Sequence, residues 1–390
     1  MLSKRPSISL CMIVRNEESV ISRCLTSVQS IVDEMIIVDT GSTDGTVAVC
    51  ESFGARVHSF LWRDDFSAAR NFGLERATGD WILWLDADEV WSPSPHAAEG
   101  VAGVADAEVA LGFDLKAALL DVEHAQHAVA SVRLVNYIGA LPDPREAYIL
   151  AQPRLFRGRM GFRFKYAIHE TLNVEDTLPQ LRNLRSIPVL PVDVLHYGYM
   201  DGPVSQKMKF ERNITLLLKD AQSEQPHPWI EYHLASEYYR NGQFERAFEF
   251  VNMSISKFLQ SFALPPSYLY RLKYTILLAG GSAQGAWPGI EKAIALYPDY
   301  VDLHYCKAVV LYLMGKHDEA LSAIDRCLEL GDDDTHYLTL KGAGSFHALY
   351  YRGLIYRQMG NPFRAKAAWQ AALQLHPAYE AAEIALRELG

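Results

Sequence analysis

Residues 39–89 open with DTGSTDGT (39–46), pass through DDFSAARNFGLERATGD (64–80) and close with WILWLDADE (81–89). The first piece follows an apolar run and is rich in turn formers, while the last ends another apolar run on Asp86-Ala87-Asp88. Carboxylates released at the ends of two apolar runs suit a pocket for a nucleotide and a divalent cation. Plainer readings stand beside this one. Ser42, Thr43 or Asp44 can simply cap the next helix, and residues 86–89 can be a solvated acidic turn. Three carboxylates within four residues (Asp86, Asp88, Glu89) repel one another unless a cation sits among them.

Working outward, Ile8 to Val14 is a continuous β-branched and apolar run, as in a strand buried on both faces. It ends at Arg15-Asn16-Glu17-Glu18, with an amphipathic helix expected to about Ser27. Strands are expected at 34–38, 56–60 and 81–85, with helices at 44–53 and 66–77. This alternation predicts an α/β, Rossmann-like domain with a mainly parallel sheet and right-handed crossovers. Asn16, Asp39 and Asp86 then fall at the carboxyl ends of strands, where such sheets collect ligands. From Trp91 to about Pro153 no period dominates, although 121–135 is expected to contain strands. The basic stretch RLFRGRMGFR (154–163) leads into FKYAIHETLNVED (164–176), and an apolar piece, 187–195, ends at His196.

The 390 residues imply more than one domain. A formal charge of −10 argues against nucleic acid as a main partner, because counterion release needs a basic surface. The N-terminal apolar run is too short for a signal peptide, and no window approaches the roughly 20 apolar residues of a membrane span. Five cysteines without metal-ligand spacing read as reduced, mostly buried thiols, and the expected location is cytoplasmic.

The ordered set CMIVRNEE (11–18), IIVDTGSTDGT (36–46), DDFSAARNFGLERATGDWILWLDADE (64–89) and AIHE (167–170) resembles the family 2 glycosyltransferases. The resemblance covers about residues 7 to 200 and is thin between 91 and 153. It implies a GT-A fold and inverting transfer of a sugar from a nucleotide donor, with a UDP-sugar favoured. It also implies that Asp39 contacts the nucleotide base, that Arg15, Asn16 and Glu17 line the same pocket, and that Arg70 approaches the base or diphosphate. Asp86 and Asp88 match the family's Asp-x-Asp and would hold Mn2+ or Mg2+, with Asp88 the direct ligand and His196 a third metal or diphosphate contact. Where the family usually has a second acidic residue after Asp39, this chain has Thr40, so base identity stays open. Glu170 is the nearest candidate for the general base, with His169 positioning a substrate. Lys207, Lys209 and Arg212 are candidate phosphate-facing cations, or more plainly a basic helix face. Arg70 can equally be a surface residue paired with Asp64 or Asp65.

From about residue 226 the composition turns to Tyr, Leu, Ala and Glu at helical spacing, after a linker helix at 201–225. Ala247, Ala286, Ala320 and Ala365 recur at intervals of 39, 34 and 45, one of them the tetratricopeptide period. Four helical hairpins and a closing helix at 380–389 are expected, with an insertion at 331–345. Its aspartates Asp332, Asp333 and Asp334 are candidate ion ligands or, more plainly, part of a solvated loop. The domains expected are thus 1–200, a catalytic unit, and 226–390, an all-α tetratricopeptide-like array. The array is expected to hold the acceptor, to form a homodimer, or to buttress the catalytic domain. The layout is similar to that of bacterial enzymes that modify a peptide, including the bacteriocin S-glycosyltransferases, while other proteins of this layout act on carbohydrate. The alternative is a nucleotide-binding scaffold without transferase chemistry. A nucleotidyltransferase would want a glycine-rich phosphate loop, and CMIVRNEE has no glycine.

Overall fold

β1 (Ile8–Val14) is buried along nearly its whole length, as a two-sided apolar run requires. It pairs in parallel with β2 (Glu34–Asp39) and with β4 (Trp81–Trp84), and β2 pairs in parallel with β3 (Arg56–Ser59). The computed structural model describes residues 5–93, 113–181, 184–198, 200, 203–224 and 229–389, without the side chains of 184 and 203–208. The chain divides into two compact units. The first comprises Met1–Tyr137, Ala151–Asp201 and Leu218–His227; the second comprises Ile138–Leu150, Gly202–Leu217 and Pro228–Gly390. The segment Ile138–Leu150, although within the first 200 residues, clusters with the second unit.

In the first unit the sheet runs β3-β2-β1-β4-β7-β6-β10-β5, with β5 at Glu89–Pro93, β6 at Val129–Tyr137, β7 at Ala147–Arg157 and β10 at Val189–His196, while β8 (Phe164–Lys165) and β9 (Thr171–Leu172) pair in a separate ribbon. β6 and β10 are parallel, whereas β7 runs antiparallel to β4 and β5 antiparallel to β10. The sheet is therefore mixed and mainly parallel, on the α/β plan expected. Helices α1 (Ile21–Val28), α2 (Thr46–Ser52) and α3 (Phe66–Leu74) alternate with the first strands. The Asp65 carboxylate caps α3 by accepting from the Ala68 N–H. Part of the stretch 121–135 that the sequence led us to expect as strand is helical. Leu115, Leu119 and Val122 are buried at helical spacing along Leu115–His124, and Asp114 caps that helix. The strand begins only at Val129. Trp81, Ile36, Ile37, Leu83 and Phe156 fill the core at 0–2% exposure.

The second unit is helical. The helices Ile230–Arg240 and Phe244–Gln260, Ser267–Ala279 and Gly289–Leu296, Val301–Leu313 and His317–Leu330, and Phe346–Gln358 and Pro362–Leu375 are followed by Glu380–Leu389. Ala247, Ala286, Ala320 and Ala365 are all completely buried, as close helix contacts demand. Five residues before each stands Gly242, Gly281, Gly315 or Gly360, all at φ of 72–73°, closing the turn into the hairpin. The insertion is not a solvated loop. Asp332 is 5% exposed and accepts from the Gly342 N–H, the Ser345 hydroxyl and Lys341. Thr339–Leu340 pairs with Tyr148 and Ile149. All five cysteines are buried and unbridged, and burial pushes the Cys11 thiol to about 12 and the Cys50 thiol to about 11. Among the described residues no helix is long and apolar enough to cross a membrane.

Candidate active site

The loops after β1 and β2 are laced together by side chain to backbone bonds. The Asp39 carboxylate accepts from the N–H groups of Gly41 and Ser42 at 3.2 and 3.0 Å, bending DTGS tightly, with Gly41 at φ 107°. The Asn16 amide oxygen accepts from the Thr43 N–H at 2.7 Å, and the Asn16 N–H donates to the Ser42 hydroxyl. Asn16 itself sits at φ 57°, a left-handed conformation that asparagine tolerates. The Glu17 N–H donates to the Thr46 hydroxyl. Arg15 is exposed beside them. The helix after DTGSTDGT has Gly45 at its N-cap with no side-chain cap, although the Asp44 carboxylate accepts from the Thr46 N–H at 3.1 Å, and these bonds together fix a shelf at the carboxyl ends of β1 and β2.

On the other side of β1, α3 brings Arg70 inward. The Asn71 amide clamps the backbone of Phe164 through two 2.8 Å bonds, and the Phe66 N–H donates to the Ala167 carbonyl, so α3 holds the segment leading to Glu170. Arg70, 7% exposed, then reaches Glu170 with Nε at 2.5 Å and Asp86 with Nη2 at 2.8 Å, its guanidinium 4.8 Å from the Trp84 ring centre. It is not a surface arginine, and its carboxylate partners are neither Asp64 nor Asp65. Burial disfavours ionisation of Asp86, but Arg70 and then Arg154 outweigh it and hold the carboxyl below its usual range.

Glu89 and Arg154 form a second buried pair, with the Arg154 guanidinium stacked 3.8 Å from the Trp84 ring centre. A Glu89 oxygen also accepts from the Asp86 N–H at 2.9 Å, which ties the Asp-x-Asp turn to Arg154. Burial, reinforced by Asp86, raises the Glu89 carboxyl above its usual range. Sequence reasoning passed over Arg154. The signal available was that an arginine within an otherwise strand-like stretch, RLF, must find a buried partner.

His196 ends β10. Its Nδ1 lies 2.8 Å from the Asn136 amide oxygen and its Nε2 3.6 Å from an Asp88 carboxylate oxygen. Burial lowers the affinity of this imidazole for a proton, but Asp88, then Glu89 and Asp86, reverse the effect and leave its pKa raised. Gly198 is what keeps this corner open. A Cβ there would stand 2.4 Å from the Asp88 oxygen and 2.5 Å from His196 Nε2. A cleft of about 270 Å³ is lined by Arg70, Asp86, Gln152, His169, Glu170 and His196, among others. Asp88 and His196 therefore meet, Asp86 and Glu170 meet on Arg70, and among the described residues no three His, Cys, Asp or Glu side chains form a ready-made cage. His169, at φ 53°, turns the chain so that Glu170 faces Arg70. Lys209 and Arg212 belong to the second unit, where Arg212 bonds to Asn213, and Lys207 lies outside the described side chains.

A mainly parallel sheet with an Asp-x-Asp beside a cleft at its strand ends, followed by helical hairpins, defines a class, and comparison with known proteins agrees. Residues 9–112 match the family model for glycosyl transferase family 2, and residues 290–322 and 346–379 match tetratricopeptide repeat models. The chain thus carries a family 2 glycosyltransferase domain followed by tetratricopeptide repeats. A TPR repeat-containing protein of Synechococcus elongatus is 37% identical over 214 residues, covering 53% of this chain and 45% of that protein. The SPbeta prophage-derived glycosyltransferase SunS of Bacillus subtilis is 27% identical over 315 residues, covering 79% of this chain and 68% of that one. A glycosyltransferase of Rickettsia felis is 44% identical over 82 residues, 21% of this chain and 29% of that one. The chain spans about half the length of the first of these relatives.

Proposed function

We propose that the protein is an inverting, metal-dependent glycosyltransferase that takes a sugar from a nucleoside diphosphate donor, UDP favoured, and gives it to a peptide, protein or glycan acceptor in the cytoplasm. The observation that carries this reading is the convergence of Asp86, Glu170 and His196 on one cleft at the strand ends, with Asp88 beside His196. The donor set fits a hard to borderline divalent ion. Asp88 would offer an oxygen and His196 a nitrogen, with Gly198 leaving room between them, a donor set that Mn2+ or Mg2+ accepts alongside phosphate oxygens and water. When bound, such an ion supplies Lewis-acid stabilisation to the departing diphosphate.

The chain's own residues do the rest. The shelf made by Asn16, Glu17 and Asp39 receives the nucleotide, with Arg15 at its rim. Arg70 holds Asp86 ionised and orients Glu170 through one of its oxygens, so that the other is placed to take the acceptor's proton as the anomeric carbon is attacked. His169 positions the acceptor beside it. The repeats, which suit binding of another protein chain, hold the acceptor or join two copies of the enzyme.

The test is UDP release from UDP-sugars with Mn2+ or Mg2+ present. Wild type is expected to release UDP and Asp88→Ala, still folded, to lose nearly all turnover. Equal turnover by the two proteins would refute the metal role. No UDP release from any UDP-sugar, with UDP still bound, would favour the scaffold alternative.

A further inference from the structure

We infer that Asn136 is a positioning residue for the cation site, an assignment that rests on the reading of Asp88 and His196 above. The parallel register of β6 and β10 places Asn136 directly opposite His196, and the asparagine is 5% exposed. Its amide oxygen lies 2.8 Å from His196 Nδ1. A histidine that binds a metal through one ring nitrogen carries its proton on the other, and an acceptor at that proton fixes both the tautomer and the ring orientation. Here the amide oxygen accepts from Nδ1–H. The Nε2 lone pair is thereby turned toward the Asp88 oxygen 3.6 Å away, in the space that a side chain at position 198 would fill.

The opposite amide orientation would donate N–H to Nδ1 and move the ring proton to Nε2. That proton would then bond Asp88 and shut the corner to a cation. Asp86, Asp88 and Glu89 already crowd this end of the sheet with negative charge. A neutral amide supplies the acceptor without adding a fourth carboxylate.

The experiment is titration of Mn2+ in the presence of UDP, read from the electron paramagnetic resonance of free Mn2+, alongside UDP binding without metal. Asn136→Ala is expected to weaken Mn2+ binding about 10- to 100-fold while UDP binding without metal is unchanged. Asn136→Asp, which can only accept from Nδ1–H, is expected to restore Mn2+ affinity to within about threefold of wild type. Should Asn136→Ala not fold, Asn136→Ser is read in the same titration with the same expectation as Asn136→Ala. Wild-type Mn2+ affinity in the alanine variant, or an equal loss in the alanine and aspartate variants, would overturn the assignment. Failure of the wild-type protein to bind Mn2+ with UDP would instead remove the cation site itself, and the role of Asn136 with it.

Discussion

Arg70→Met removes the guanidinium and keeps most of the apolar stem. What it leaves is Glu170, whose side chain is 11% exposed, and Asp86, both facing a place where their shared counterion stood. Deleting one partner of a buried ion pair typically costs 3–5 kcal/mol, because the remaining charge is neither solvated nor paired. Asp86 is more open to water, with 38% of its side chain exposed, so the loss comes mainly from Glu170 and sits at the lower end, about 3 kcal/mol. Urea unfolding followed by tryptophan fluorescence should show the first unit's midpoint falling by about 1–2 M for a urea slope of about 2 kcal/mol/M. The acid side gives a second readout. The folded Asp86 carboxyl is depressed, so its contribution is present above its unfolded value near 4 and is lost as pH falls through the folded value. In Arg70→Met this loss of stability on acidification should shrink. A variant within 1 kcal/mol of wild type, with the same acid dependence, would refute the view that Arg70 organises the site.

The second unit offers three further tests. Gly353→Ala would put a Cβ 2.2 Å from Trp369 Nε1, a fully buried indole, so thermal unfolding should show a loss of about 1–3 kcal/mol. Asp332→Ala strands the Gly342 N–H and the Ser345 hydroxyl, while Lys341 keeps Asp333, and should cost about 1–3 kcal/mol by the same measurement. Burial pushes the His347 imidazole down to about 4. Its unfolded form therefore binds more protons between pH 4 and 6.5, and the second unit should lose about 3 kcal/mol as pH falls through that window. Urea midpoints at pH 7 and 4.5 check this, and His347→Gln should flatten the difference.

Much of the fold was legible because it repeats or alternates. The run ISLCMIV reads as a two-sided strand, and each of the four alanines at repeat positions is completely buried. The glycines five residues before them carry the same spacing and would have sharpened the reading of the weaker first two hairpins. The helix at 115–124 was missed because a run rich in Ala, Leu and Val satisfies either period over ten residues, and only the Asp114 cap points to a helix. At the site, Asn16, Asp39 and Asp86 stood out by their place at strand ends, and Asp88 and Arg70 by the motifs that contain them. Asn136 and Arg154 did not, because their partners lie 60 and 65 residues away and meet them only in the folded sheet. Arg70 shows the converse: its sequence neighbours Asp64 and Asp65 were plausible partners, but the helix turns it toward Asp86 and Glu170 instead.

The most direct measurement is an anomalous difference map from crystals soaked with UDP and Mn2+. The account predicts a manganese peak about 2 Å from both an Asp88 oxygen and His196 Nε2, touching the diphosphate. UDP bound with no metal peak at that corner, or a peak held by other residues, would contradict it.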